Sequence, residues 1–270
     1  MTSIDSGTGA YVSVDGLEVS VADGVLSLTL NRPDSLNSLT ATMLDGIADA
    51  LAAAAADPQV KVVRLAGAGR GFSSGAGISA DDQTKKAGGL TVLDAANRAI
   101  RSIVALPRPV VAVVQGPAAG VGASLALACD IVIASDKGYF MLAFTKIGLM
   151  PDGGASALVA AAVGRVRAMR MALLADKIHA EEAFQAGLVT AVYPADQLDA
   201  EVDKVIATLV RGPVVALAKT KDAINSTTLA ELEAALEREH SGQAALLRGT
   251  DYREGIKAFQ ERRAATFTDT

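Results

Sequence analysis

The residues best placed to do chemistry lie in two glycine-rich turns, each following a short β-branched run. In the first to be recognised, Val110–Val114 leads into Gly116, Pro117, Gly120 and Gly122, and an Ala/Leu-rich stretch at residues 124–129 follows. Valine runs favour buried strands, alanine and leucine favour helix, and the glycines let backbone approach a ligand closely. A turn that opens a helix leaves free N–H groups at the positive end of the helix dipole. Such a turn suits an anion, or a carbonyl oxygen that becomes anionic during reaction. The second turn, Gly67-Ala-Gly69-Arg-Gly71-Phe72-Ser-Ser-Gly75-Ala76-Gly77-Ile78, follows a strand expected at residues 60–66. Together the two turns can offer two N–H donors to one oxygen.

Several other chemistries are disfavoured. Gly122-Ala-Ser124-Leu-Ala126 has the outline of a nucleophile elbow, but the chain holds only His179 and His240, and neither is a positioned base. The spacing at Gly67 does not fit a dinucleotide fingerprint, and no helix pattern follows Gly71. No cluster of His, Cys and carboxylates has metal-ligand spacing. Residues 110–129 carry no charge and have the length of a membrane span, but three glycines, Pro117 and Gln115 argue for strand–turn–helix.

The elements that must position these turns read as an α/β pattern. With 270 residues, half of them hydrophobic, the chain can bury a large core. The net charge of −5 disfavours nucleic acid as a partner. A single cysteine, Cys129, forbids an internal disulfide, and no signal-peptide pattern opens the chain, so a cytoplasmic protein is expected. Residues 1–9 read as a flexible tail. Residues 17–21 and 25–30 alternate around Asp23-Gly24 as a hairpin. Thr40 is a candidate N-cap for a helix to Ala56, and residues 91–105 have helical period. Residues 81–89 read as a loop. Helices are expected at 155–163, ending at Gly164, then at 167–174 and 180–186, with strands at 137–142 and 188–192. Beyond Gln197 the pattern is helical throughout, at 198–211, 213–225, 228–247 and 251–263. The expected division is a core at 10–200 and a C-terminal helical region at 201–270.

Taken jointly, the motifs resemble the crotonase superfamily, the enoyl-CoA hydratase/isomerase family. The resemblance is carried by Asn31-Arg32-Pro33 with Leu36-Asn37-Ser38-Leu39, and by Gly71-Phe72-Ser-Ser-Gly75-Ala76-Gly77-Ile78. It continues through Pro109-Val110-Val111-Ala112, Gly116, Gly120 and Gly122 to Cys129-Asp130. Gly148-Leu149, Pro151-Asp152-Gly153-Gly154, Gly187-Leu188-Val189 and Arg253-Glu254-Gly255 complete it, so nearly the whole chain is covered. It implies a spiral of repeated ββα units, with C-terminal helices that pack in a homotrimer or a dimer of trimers. It implies an acyl-CoA thioester as substrate and no prosthetic group. The thioester oxygen would sit between the N–H groups of Ala76 and Val121, where valine replaces the usual glycine after Gly120. One such donor contributes about 2.7–4 kcal/mol of transition-state stabilisation. The main chain around Ser74, Ala76, Gly77 and Ile78 would hold the adenine end, and Arg32 is a candidate for a phosphate contact. Lys85-Lys86, Lys257 and Phe267 are weaker candidates for the CoA headgroup.

The chain departs from the family's hydratases at both catalytic glutamates. One position is Ser124; the other, four residues after Phe140, is Phe144. Water addition needs a base and an acid, and these side chains supply neither. Asp152 matches the position where several isomerases of the family, and an aryl-CoA dehalogenase, carry their carboxylate. One carboxylate suffices to move a double bond. Asp152 before Gly-Gly-Ala-Ser is equally suited to cap the next helix. Three functions follow: an isomerase with Asp152 as proton shuttle, a silent acyl-CoA binder, or an atypical hydratase. His179, His240 and Cys129 read as surface, solvated and core residues respectively.

Overall fold

Asp23 and Gly24 both adopt positive φ, 51° and 82°, and so close the two-residue hairpin between β1 (Leu17–Ala22) and β2 (Val25–Leu30). The structure, a computed structural model, describes residues 11–78 and 89–269. The expected tail at 1–9, residues 81–88 of the loop expected at 81–89, and Lys85-Lys86 lie outside the described residues, and Gly89 begins a helix. From β2 the chain passes through α1 (Ala41–Ala56), β3 (Val62–Gly67), α2 (Gly89–Ala105) and β4 (Val110–Val114). Then come β5 (Pro117–Ala119), α3 (Val121–Leu127), β6 (Ile131–Ser135) and β7 (Tyr139–Met141). Next are α4 (Ala155–Leu174), β8 (Ile178–His179), α5 (Ala180–Gln185) and β9 (Ala191–Tyr193). The chain closes with α6 (Leu198–Val210), α7 (Val214–Thr228), α8 (Leu232–Leu246) and α9 (Thr250–Glu261).

The strands form a large sheet in the order β1-β2-β3-β4-β6-β9 and a small one, β5-β7-β8. Beyond the hairpin every pairing in the large sheet is parallel, as strand–helix–strand crossovers require. Both faces of β4 are buried, which explains its uninterrupted apolar run. Val110, Ala112 and Val114 join the main core with Met43, Leu44, Ile47 and Leu51 of α1. Val111 and Val113 face the other way, against Leu198, Val202 and Ile206 of α6. The division expected at residue 200 therefore falls inside a helix that covers the core sheet. The Thr40 hydroxyl caps α1, accepting from the Met43 N–H.

Two features mark the second half. Gly164, at φ 75° and ψ 162°, breaks α4 at the expected place. The α7 helix docks through polar contacts rather than apolar burial. Lys221 lies 2.8 Å from the Asp130 carboxylate, which also accepts from the Val110 N–H at 2.7 Å, and Lys221 donates to the Ile103 carbonyl. The uncharged stretch 110–129 becomes β4, β5 and α3. No helix among the described residues is long and apolar enough to cross a membrane.

Candidate active site

The turn at Gly67–Phe72 is held by two amide side chains. Leu36 and Asn37 both take left-handed backbone conformations (φ 54° and 55°), which turns the Asn37 side chain inward. Its Nδ2 donates to the carbonyls of Ala68, Gly71 and Phe72 at 2.8–3.2 Å, and its Oδ1 accepts from the Arg32 N–H. From the other side, Gln115 Nε2 donates to the carbonyls of Gly67, Gly69 and Gly71. Turn carbonyls that would be unpaired in the interior thus find donors. Ser73 continues the pattern: its hydroxyl donates to Asn37 O and accepts from the Gly75 N–H.

Beyond Ser73 the chain runs extended between two neighbours, with Ala76 bridging Leu39 and Ser73 bridging Ala118. The Leu39 N–H donates to Gly75 O, and the Gly77 N–H donates to Leu39 O. That pairing turns the Ala76 N–H away from Leu39, and the preceding residue, Gly75, meets the β5–α3 connection. There Gly75 and Gly120 are pressed together. A Cβ on Gly75 would lie 2.7 Å from Ala119 O and 3.4 Å from Gly120 Cα. Gly120 has φ 54° and ψ −136°, a conformation for glycine alone, and α3 starts at the next residue. The Val121 N–H is the first of α3, a position with no preceding helical carbonyl to accept from it. The amides of Ala76 and Val121 each follow one of the two apposed glycines.

The Pro151-Asp152-Gly153-Gly154 turn lies against the same helix start. A Cβ on Gly153 would be 3.1 Å from Ser124 Cβ and 3.3 Å from Val121 Cγ2. The buried Ser124 hydroxyl donates to the Asp152 carbonyl at 2.8 Å, so it anchors this turn rather than facing a ligand. Phe144 is buried too, its ring tip 3.9 Å from where a Gly120 Cβ would stand. Asp152 Oδ2 accepts from Gln243 Nε2 at 2.7 Å, while Asp152 Oδ1 is buried without a partner. Burial pushes the carboxyl up to about 7; the Gln243 donor opposes this and the nearby Glu239 charge adds to it.

The capping role open to Asp152 is not the one it plays, and this corrects that sequence reading. The N-cap of α4 is Gly154, and the donors at that helix start go to Glu239 of α8. Glu239 accepts from Gly154 N at 2.7 Å, Ser156 N at 2.8 Å and Ser156 Oγ at 2.5 Å. Burial raises the Glu239 carboxyl, and these donors work against the rise. Neither Glu239 nor Gln243 stood out in the sequence. The available signal was their spacing: with Leu232, Ala235 and Leu236 they lie on one buried stripe of α8, where polar residues need partners.

The remaining candidates are dispersed or committed elsewhere. Arg32 Nη1 donates to the Ser38 carbonyl and hydroxyl, both at 2.8 Å, so that guanidinium nitrogen serves its own loop. The Ser74 hydroxyl donates to Ser35 O. The Gly77 N–H is spent on Leu39, and Ile78 O accepts from Gln260 of α9 at 3.2 Å. His240 pairs with Asp94 at 3.0 Å, and His179 precedes α5 without capping it. Cys129 is buried, its thiol directed at Leu125 O and pushed up by burial. Lys257 and Phe267 are exposed near the C-terminus. Among the described residues no three His, Cys, Asp or Glu side chains cluster as a metal site.

Comparison with known proteins gives a consistent answer. The profile of the family described as enoyl-CoA hydratase/isomerase matches residues 20–270. The 1,2-epoxyphenylacetyl-CoA isomerase of Escherichia coli is 38% identical over 253 residues, covering 92% of this chain and 96% of that protein. A probable enoyl-CoA hydratase of Rhodobacter capsulatus is 38% identical over 258 residues, covering 95% and 99%. A crystal structure of an enoyl-CoA hydratase from Mycobacterium avium subsp. paratuberculosis superposes with a TM-score of 0.88 at 64% identity, covering 94% and 99%. The apposed glycine turns, the α/β spiral and the whole-length matches make this chain a member of the enoyl-CoA hydratase/isomerase family, the crotonase superfamily.

Proposed function

We propose that the chain is an acyl-CoA isomerase that shifts a carbon–carbon double bond, with Asp152 as its single acid–base group. The observation that carries this reading is the Asp152 carboxylate: one oxygen is held by Gln243 and the other is buried and unpartnered, in a turn whose backbone packs on the first turn of α3. The hydratase positions, by contrast, hold a buried serine committed to a carbonyl and a buried phenylalanine. The isomerase-named and hydratase-named curated relatives are both 38% identical to the chain, and the solved structure at 64% identity is named as a hydratase, so it is the side chains and not the names that favour isomerisation.

The chemistry would run as follows. The thioester oxygen of a β,γ-unsaturated acyl-CoA accepts from the Ala76 and Val121 N–H groups. Asp152 Oδ1 takes a proton from the α-carbon, and the electron pair of that C–H bond spreads over the dienolate onto the thioester oxygen. The two amides stabilise this charge. The protonated Asp152 then gives the proton to the γ-carbon, and the double bond comes to rest in conjugation. A carboxyl near pH 7 can both accept and return a proton at neutral pH. The main chain around Ser74, Ala76 and Ile78 would hold the adenine end.

Conversion of vinylacetyl-CoA to crotonyl-CoA tests the proposal, with loss of turnover but retained CoA-ester binding expected in Asp152→Asn. Hydration of crotonyl-CoA by the parent protein would favour the atypical hydratase. Tight binding of both esters with no turnover would favour the silent binder.

A further inference from the structure

Gln243 lies 91 residues from Asp152 in sequence and is 1% exposed. Every polar atom of its amide is used. One Nε2 hydrogen goes to Asp152 Oδ2 at 2.7 Å, the other to the Met150 carbonyl at 2.8 Å, and Oε1 accepts from the Met150 N–H at 3.2 Å. A flipped amide would set Oε1 against the carboxylate and the Met150 carbonyl, so the orientation is fixed. The side chain grips the segment at both ends, by the backbone of Met150 and by the carboxylate of Asp152. The Ser124 hydroxyl holds the Asp152 carbonyl from α3.

We propose that Gln243 is a positioning residue for this reaction: it pins Asp152 by one carboxylate oxygen and thereby dedicates the other to the substrate proton. The inference rests on the reading of Asp152 as the acid–base group. Its basis is the asymmetry of the carboxylate, with Oδ2 bound to a rigid buried donor and Oδ1 bound to nothing. A neutral donor also suits the task better than a cation. Arginine or lysine in its place would hold the carboxylate firmly ionised and unable to carry the proton between carbons.

Among the described residues, the groups packed around the Asp152 turn come from α3, α4 and α8. Glu239, one turn before Gln243 on α8, is the charged group that acts on it. The side chains against the adjoining Gly153 and Gly154 are Val121 and Ser124 of α3, Leu158 of α4, and Leu232 and Leu236 of α8. With no cation among them, the Gln243 donor is the side-chain contact that favours the ionised form.

The test uses Gln243→Met, which keeps the length and removes both donors, and Gln243→Asn as a second, polar variant. Activity is followed with vinylacetyl-CoA across pH. Loss of one hydrogen bond to a charged acceptor should raise the acid limb of kcat/KM by about 1–2 pH units. At neutral pH kcat/KM should fall about 5- to 50-fold, carried by kcat, and should recover in alkali while KM stays within about twofold. An Asp152 carboxyl titration by carbon-13 NMR, without substrate, should show the same rise. If the limb and the titration stay at the parent values in a folded variant, Gln243 is only structural and the proposal falls. Failure of both variants to fold would equally make it a folding residue. Asp152→Asn, measured alongside, separates the two ideas: turnover there sinks the role of Asp152 itself, whereas a dead Asp152→Asn with unshifted Gln243 variants sinks only this one.

Discussion

Replacing Asp152 by asparagine removes the carboxyl proposed as the acid–base group while keeping its size. Loss of a positioned acid–base group costs on the order of 100- to 10,000-fold in rate. The pH dependence is the sharper consequence. The carboxyl ionises near pH 7 in the folded chain, and proton removal needs it ionised. The parent kcat/KM should therefore be half its plateau near pH 7, about one-tenth at pH 6 and about one-hundredth at pH 5, whereas the residual Asp152→Asn rate should be flat. Stability should respond with the opposite sign. An unfolded aspartate ionises near pH 3.9, so between about pH 4 and 7 the folded state binds the extra proton. The favourable contribution is complete below pH 4 and disappears as pH rises through 7. A difference of about 3 pH units corresponds to about 4 kcal/mol. Urea unfolding at acid and mildly alkaline pH, compared between the two proteins, should show the parent losing up to that much relative to Asp152→Asn. A parent rate profile with its limb near pH 4, or a stability difference independent of pH, would refute the buried-carboxyl reasoning.

Other substitutions probe the supports. Glu239→Ala strips the acceptor from Gly154 N and Ser156 N and should cost about 2–4 kcal/mol in chemical denaturation. In the same variant the acid limb of kcat/KM should move down, opposite to the Gln243 variants, because a nearby negative charge is gone. Gly75→Ala places a methyl 2.7 Å from Ala119 O at a φ of +91° and should both destabilise the fold by about 1–3 kcal/mol and depress kcat. Paired melting and turnover measurements would separate the two losses. The resemblance implies a homotrimer or a dimer of trimers packed through the C-terminal helices, and Val166, Met169, Leu173 and Leu174 of α4 and Phe184 of α5 are further exposed apolar side chains that a partner could cover. Light scattering should then give three times the 27.5 kDa chain mass, or six times it for a dimer of trimers.

Much of this protein is written in local sequence. The hairpin follows from Asp23-Gly24, the start of α1 from Thr40, the break in α4 from Gly164, and the buried strand β4 from five apolar residues. Each depends on interactions within a few residues, and motif order along the chain was enough to indicate the family. The two glycine turns were legible for the same reason, because close backbone approach and a conformation like that of Gly120 demand glycine. Their mutual contact was not, since Gly75 and Gly120 meet only after the strands pair.

The role of Asp152 lay beyond local reading. Its sequence neighbours suit a helix cap, and only packing reveals that Glu239 has taken that place and that Gln243 holds the carboxylate. Arg32 looked available for a phosphate until folding brought Ser38 within reach of its guanidinium. The α6 helix looked like the beginning of a separate region until it covered Val111 and Val113. Local propensity records what a residue does with neighbours along the chain. Burial and unpaired polar atoms exist only once distant segments exclude water together, and on this chain those decide which carboxylate caps a helix and which keeps an unpartnered oxygen.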